Sequence, residues 1–144
     1  MKAFLTTLFI KQNKWHNHSV LVHTLKVAYH AIQHKDYKFI IPALLHDLGK
    51  PVTAFQDEKD LLEGTYSFTD HEEKSYQIIK NWSFISDWTK DVVRYHYIIR
   101  DISKSYKKGK IDRYNEKLAI WNNLSPELKK DIETFMKYDD MGKK

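Results

Sequence analysis

The stretch Ala43-Leu44-Leu45-His46-Asp47-Leu48-Gly49-Lys50-Pro51 constrains this chain more than any other. A small residue and two leucines run straight into a histidine and an aspartate, and a glycine, a lysine and a proline then stop the run. An imidazole and a carboxylate at the end of so apolar a segment are costly to bury unless something pairs with them, and a divalent cation would pair with both. Neighbouring residues on a helix point about 100° apart, so His46 and Asp47 share one ion only where the helix ends and the backbone bends. Gly49 and Pro51 supply such an ending. Taken alone, the dipeptide reads more readily as a helix C-terminus with a histidine placed for the dipole and an aspartate in the turn. One His-Asp pair is weak as a motif, so its meaning depends on the rest of the chain.

At 144 residues the chain is the size of one domain and long enough for a hydrophobic core. With 42% hydrophobic and 14% aromatic residues it is too apolar for a disordered chain, although 30% of it is charged. No run approaches the roughly 20 apolar residues that span a bilayer, so no membrane partner is expected. Met1 to Ile10 is apolar but is followed by Lys11-Gln12-Asn13-Lys14-Trp15, which is not a cleavage site. It reads as an N-terminal packing helix over residues 1–14 of a protein expected in the cytoplasm of a bacterium, or of a host cell if the chain is viral. There is no cysteine, so a metal would be held by His and carboxylate alone. Part of the net charge of +5 comes from Lys104, Lys107, Lys108, Lys110 and Arg113 around Gly109, with Tyr106 and Tyr114 between them. This reads as a basic loop over 104–113, either a solvated surface or a contact for the phosphates of RNA.

The pattern is helical nearly throughout, with no alternation of strand length, repeat or linker, which predicts one all-α domain. Asn17 or Ser19 caps a helix to about Gln33, with Val20, Leu21, Leu25, Ala28, Ala31 and Ile32 on one face and His23 near its border. A second helix, from about Asp36 to Leu48, is apolar almost all round and contains an awkward Pro42. An irregular connection from Val52 to Ser67 follows, with a short helical turn near Asp57–Leu62. Thr69-Asp70-His71-Glu72 has the spacing of a capping box and puts His71 in the first turn of a helix through Trp82. The next helix, from Ser86 or Asp87 to Ile102, places Val92 and His96 on one face. Ser125-Pro126 starts the last helix, in which Leu128, Ile132 and Phe135 form a buried stripe that one more step of four extends to Asp139. Asp140 lies about 100° round from it, so Asp139 is the carboxylate that needs a partner.

His23, His46, Asp47, His71, His96 and Asp139 are therefore the candidates for a shared site. Imidazole and carboxylate suit Mn, Fe, Co, Ni or Zn, and carboxylate with water suits Mg. Six ligands suffice for two ions bridged by Asp47. Any one of these histidines alone is more often a hydrogen-bonded core residue than a ligand. His16, His18, His30 and His34 lack the apolar context and read as surface or supporting residues.

The order His23, His46-Asp47, His71, His96, Asp139 resembles that of the HD-domain superfamily of metal-dependent phosphohydrolases. The phrases Ala43–Pro51, Phe68-Thr69-Asp70-His71-Glu72, Val92-Val93-Arg94-Tyr95-His96 and Tyr138-Asp139-Asp140-Met141-Gly142-Lys143 are most similar to the HD portion of bacterial tRNA nucleotidyltransferases. They are less similar to HD phosphodiesterases of cyclic dinucleotides. The resemblance implies a bundle of five or more helices around a metal site. It places the first ion on His23, His46, Asp47 and Asp139, and lets His71 and His96 complete a second site or line the substrate cleft. Lys50 is then placed to meet a phosphate oxygen, with Arg100 or Lys104 as further counter-charges. Nothing in the sequence corresponds to a nucleotidyltransferase catalytic domain or to a sensor module, so neither relative's substrate is inherited. The expected activity is hydrolysis of a nucleotide, cyclic-nucleotide or RNA-end phosphoester by metal-activated water, with Asp47 and Lys50 as catalytic residues and a nucleotide as the phosphate-containing partner. The alternatives are a di-iron oxygenase of the same fold and a non-catalytic nucleotide- or RNA-binding module.

Overall fold

Phe39 is fully buried and collects the core around itself. The rings of Trp88, Tyr138 and Phe135 stand 5.5, 5.7 and 6.0 Å from it, and Val27, Ala28, Ala31, Ala43 and Val92 close the cluster. The structure, a computed structural model, describes Gln12 and residues 19–144. Helix α1 is Val20–Gln33; a 3-10 turn Tyr37–Phe39 leads into α2, Ile40–Leu45. Then come α3 (Lys50–Thr53), strand β1 (Ala54–Phe55), α4 (Glu58–Glu63), strand β2 (Ser67–Phe68), α5 (His71–Ile79), α6 (Asp87–Tyr95), α7 (Ile98–Lys107), α8 (Ile111–Asn123) and α9 (Pro126–Met141). Among the described residues the fold is all-α apart from an isolated bridge residue at Ser19 and a two-residue antiparallel ladder pairing Ala54 with Phe68 and Phe55 with Ser67. Among the described residues no helix is long and apolar enough to cross a membrane. The expected helix over 1–14, the candidate cap Asn17, and His16 and His18 lie outside the described residues.

Local chemistry explains most boundaries. Ser19, Ser86 and Ser125 accept from backbone amides of the first turns of α1, α6 and α9, and Pro126 sits at the first helical position of α9, where its missing N–H is no loss. Pro42 is the third residue of α2, again within the turn whose amides have no helical partner. On α1 the buried residues are Val20, His23, Thr24, Val27, Ala28 and Ala31. His23 therefore lies inside the buried face, and Leu25 and Ile32, expected on it, are 53% and 46% exposed.

Four further expectations are corrected. The second helix does not run from Asp36 to Leu48: its regular part is six residues, and Ile41 and Leu44 on its outer side are exposed. The capping box at Thr69 does not form, because α5 begins at His71 with Asp70 as its cap in the left-handed region (φ 55°), one residue out of register for a Thr69–Glu72 pair. The helix expected to reach Ile102 is two, α6 and α7, meeting at His96-Tyr97. The basic segment 104–113 is not a loop: Lys104 and Lys107 belong to α7, Arg113 belongs to α8, and Gly109, at φ 67°, makes the tight turn between them.

Candidate metal centre

The chain after α2 leaves the helix at Leu45 and turns through His46, Asp47 and Leu48, which lets two adjacent side chains reach one point. Gly49 fixes how closely that turn approaches α5. Its φ of −75° is ordinary, so conformational freedom is not its purpose. A Cβ at this position would stand 2.2 Å from the His71 carbonyl oxygen and 2.7 Å from the Ser75 nitrogen. The Gly49 N–H donates to Ser75 Oγ (2.8 Å), and that hydroxyl reaches the carbonyls of His46 (2.7 Å) and His71 (2.9 Å), tying the turn to the start of α5.

Three imidazoles are aimed in the same way. His46 Nδ1 meets the Ala43 carbonyl at 2.7 Å, His71 Nδ1 that of Phe68 at 3.1 Å, and His96 Nδ1 that of Val93 at 2.7 Å. A carbonyl accepts only, so each Nδ1 carries a proton and each Nε2 faces inward, as in metal-ligating histidines. His23, fully buried on α1, brings its Nε2 to Asp139 Oδ1 (2.7 Å) and within 3.7 Å of Asp47 Oδ2.

Asp47 divides the site between its two oxygens. Oδ2 faces His46 Nε2 (3.2 Å), His23 Nε2 and Lys50 Nζ (2.8 Å). Oδ1 faces His71 Nε2 (3.4 Å) and His96 Nε2 (4.0 Å). His46 Nε2 also stands 3.4 Å from Asp139 Oδ1. Asp139 points inward with its side chain 8% exposed, against 53% for Asp140, so the expected helical phase is the observed one.

The charge states follow from this packing. Burial works to raise the Asp47 carboxyl, but His46 and Lys50 outweigh it and hold it well below the usual range. Burial likewise opposes the ionised Asp139, and hydrogen bonds with His23 and His46 and the charge of Arg100 keep it low. Burial alone would lower His46, yet Asp47 and Asp139 raise it to about 9. A proton on its Nε2 thus stands where a cation would. His96 is pushed well below its ordinary value by burial and by His46 and His71, and stays neutral.

The donor set suits a divalent cation. Ligand atoms of His23, His46 and Asp139, and separately of His46, Asp47 and His96, lie within 4.8 Å of one another. His46 Nε2 and both Asp47 oxygens are buried without an aligned hydrogen bond among the described residues, a costly condition that a cation relieves. His71 Nε2 and His96 Nε2 are 3.3 Å apart with both Nδ1 atoms engaged, so two inward nitrogens confront each other. A third acidic group, Asp70, Glu72 and Asp101, has its own cation: Arg113 bonds Asp70 at 2.7 Å and Asp101 twice at 2.8 Å.

The HD domain family model matches residues 20–127. The chain is an HD-domain protein. The match covers the elements carrying His23, His46, Asp47, His71 and His96 and stops short of Asp139, which α9 brings in from beyond it. No curated protein and no solved structure matches the chain. HD domains are mostly metal-dependent hydrolases, and the His/Asp groups of this HD domain could hold a divalent metal.

Arg100 and Lys104 both have partners of their own. Arg100 clasps two aspartates, Asp139 Oδ2 and Asp140 Oδ1, each at 2.6 Å, and so orients a site carboxylate. Lys104 is bonded to the Tyr97 hydroxyl, and the Tyr97 ring packs 5.4 Å from that of His71. Both line a cleft of about 800 Å³ that also contains Lys50, His71, Lys108 and Lys110. Sequence reasoning did not place Gln12 at the site, where it is fully buried against Lys50. Standing among the polar residues Lys11, Asn13 and Lys14, it carries no local signal to find it by.

Proposed function

We propose that this HD domain hydrolyses a phosphomonoester or phosphodiester of a nucleotide, a cyclic nucleotide or an RNA end with the help of one or two divalent ions. The observation that carries the reading is the division of Asp47, one oxygen toward His23 and His46 and the other toward His71 and His96. In this reading His23, His46, Asp47 and Asp139 would hold a first ion, and His71 and His96, with Asp47, could hold a second. When bound, such an ion lowers the pKa of a water toward neutrality and polarises a phosphoryl oxygen.

The chain's own residues supply the rest. Lys50, beside Asp47 and on the cleft wall, meets a phosphoryl oxygen and offsets the charge that gathers there. Arg100 holds Asp139 in one orientation, as supporting partners of metal ligands do. Phe135 packs edge-on beneath His46, with ring centroids 5.3 Å apart, and keeps water from the floor of the site. Lys104, Lys108 and Lys110 on the cleft attract phosphate, and Tyr66 and Phe68, stacked at 6.5 Å on the same wall, offer a face for a base.

The test is metal analysis of purified protein, followed by a screen of linear and cyclic nucleotides and RNA ends with Mn, Co, Ni and Mg. Turnover that disappears in Asp47→Ala together with bound metal supports the reading. A folded, metal-loaded protein that hydrolyses none of these phosphoesters, or an active Asp47→Ala variant, overturns it. Coloured protein with about two irons per chain and no hydrolysis points to the oxygenase instead.

A further inference from the structure

Lys50 is only 6% exposed, and two groups hold its ammonium, one by charge and one by a hydrogen bond. One is Asp47 Oδ2 at 2.8 Å. The other is the side-chain carbonyl of Gln12, which lies 38 residues earlier in the chain. Gln12 is itself fully buried, and its main-chain carbonyl accepts the Tyr66 N–H at 2.7 Å. It is thus anchored at both ends: its backbone is tied to the residue before β2, and its side chain to the lysine at the start of α3. Tyr66 and Lys50 both face the cleft, and the Phe68 ring lies 5.6 Å from the ammonium. The family match begins at residue 20, so Gln12 reaches the site from outside the matched HD region.

A buried ammonium needs an acceptor, and the side-chain carbonyl of Gln12 supplies one. The arrangement also fixes a direction. A lysine ammonium has three N–H groups on a flexible stem; with one of them given to the Gln12 carbonyl and its charge paired with Asp47 Oδ2, its swing is restrained from two separate parts of the chain. Without the amide, the ammonium is free to settle wholly on Asp47. We propose that Gln12 is a positioning residue for Lys50, holding its ammonium so that a remaining N–H meets a phosphate oxygen in the cleft. The inference rests on the reading of Lys50 as the phosphate contact.

The test uses the full chain loaded with Mn²⁺ and inorganic phosphate as the probe, with affinities measured by calorimetry. Lys50→Met should weaken phosphate binding about tenfold or more, as expected for a lost charge-assisted hydrogen bond. Gln12→Leu should weaken it by a comparable factor while Mn²⁺ affinity stays unchanged, and should have no further effect in the Lys50→Met background. A Gln12→Leu loss of equal size in both backgrounds would show a merely structural role and overturn the inference. So would unchanged phosphate affinity in Gln12→Leu beside a weakened Lys50→Met, an outcome that leaves the proposed function standing. Unchanged affinity in Lys50→Met removes the role given to Lys50 and the inference with it. Should Gln12→Leu lose its helical circular dichroism, Gln12→Asn, which keeps the amide but is one methylene short of Lys50, is read by the same comparisons.

Discussion

Gly49→Ala tests the packing that brings the two halves of the site together. At φ −75° an alanine is conformationally welcome; on backbone grounds alone the change should stabilise by about 0.4–1 kcal/mol. The added methyl, however, would sit 2.2 Å from the His71 carbonyl oxygen, where carbon and oxygen normally keep about 3.3 Å. The obstacle is backbone, and no rotamer change relieves it, so α5 must withdraw from the His46–Asp47 turn by about 1 Å. Overpacking of this kind costs about 1–3 kcal/mol, and the rigid obstacle puts this case at the upper end, a drop of roughly 10 °C in melting temperature for a domain of this size. The same withdrawal carries His71 away from Asp47 Oδ1, now 3.4 Å distant, whereas metal sites tolerate deviations of only about 0.2 Å. Thermal denaturation with and without Mn²⁺, combined with calorimetric stoichiometry, should show a less stable protein that holds less metal. A Gly49→Ala protein that melts within about 2 °C of the parent and binds the same metal would refute the reasoning.

Three other predictions address the ligands and their charges. Asp139→Asn should greatly reduce metal affinity in a titration while Asp140→Asn changes it little, because only the former carboxylate meets His23 and His46. If the site takes two ions, His71→Ala and His96→Ala should each halve the metal content measured by plasma spectrometry; unchanged content with impaired turnover would make the pair substrate-facing. Metal-free protein should be most stable near pH 6.5 in melts across pH 5–10. His46, raised to about 9, contributes stability that is complete below its ordinary 6.5 and is lost as pH rises through 9. His96, depressed in the fold, is protonated first in the unfolded chain and so removes stability as pH falls below 6.5.

Much of the site was legible because its residues stand at places where apolar pattern and polar chemistry conflict. Asp139 is readable since it continues the stripe of Ile132 and Phe135, both fully buried, and the neighbouring Asp140 does not. His46 and Asp47 are readable because leucine and alanine lead into them. The parts that were not legible lack such a conflict. Helix α8 has no buried residue, so there is no stripe to find. The break between α6 and α7 contains neither glycine nor proline, and His96 and Tyr97 keep negative φ of −59° and −99°, so the periodicity runs through it. Arg100 reads from sequence as a cation but not as the clasp of Asp139, since two aspartates 39 and 40 residues away leave no mark on its local sequence.

The carbonyls that steer His46, His71 and His96 each belong to the residue three places earlier in the same segment. Bearing and position are therefore governed separately: the compass heading of every ring is written into a few consecutive residues, and long-range assembly has only to deliver the segments to within reach. A receptor built this way is rigid before its guest arrives, so loading it should demand little rearrangement, and drift in remote parts of the bundle should alter how far the rings stand apart sooner than where they point.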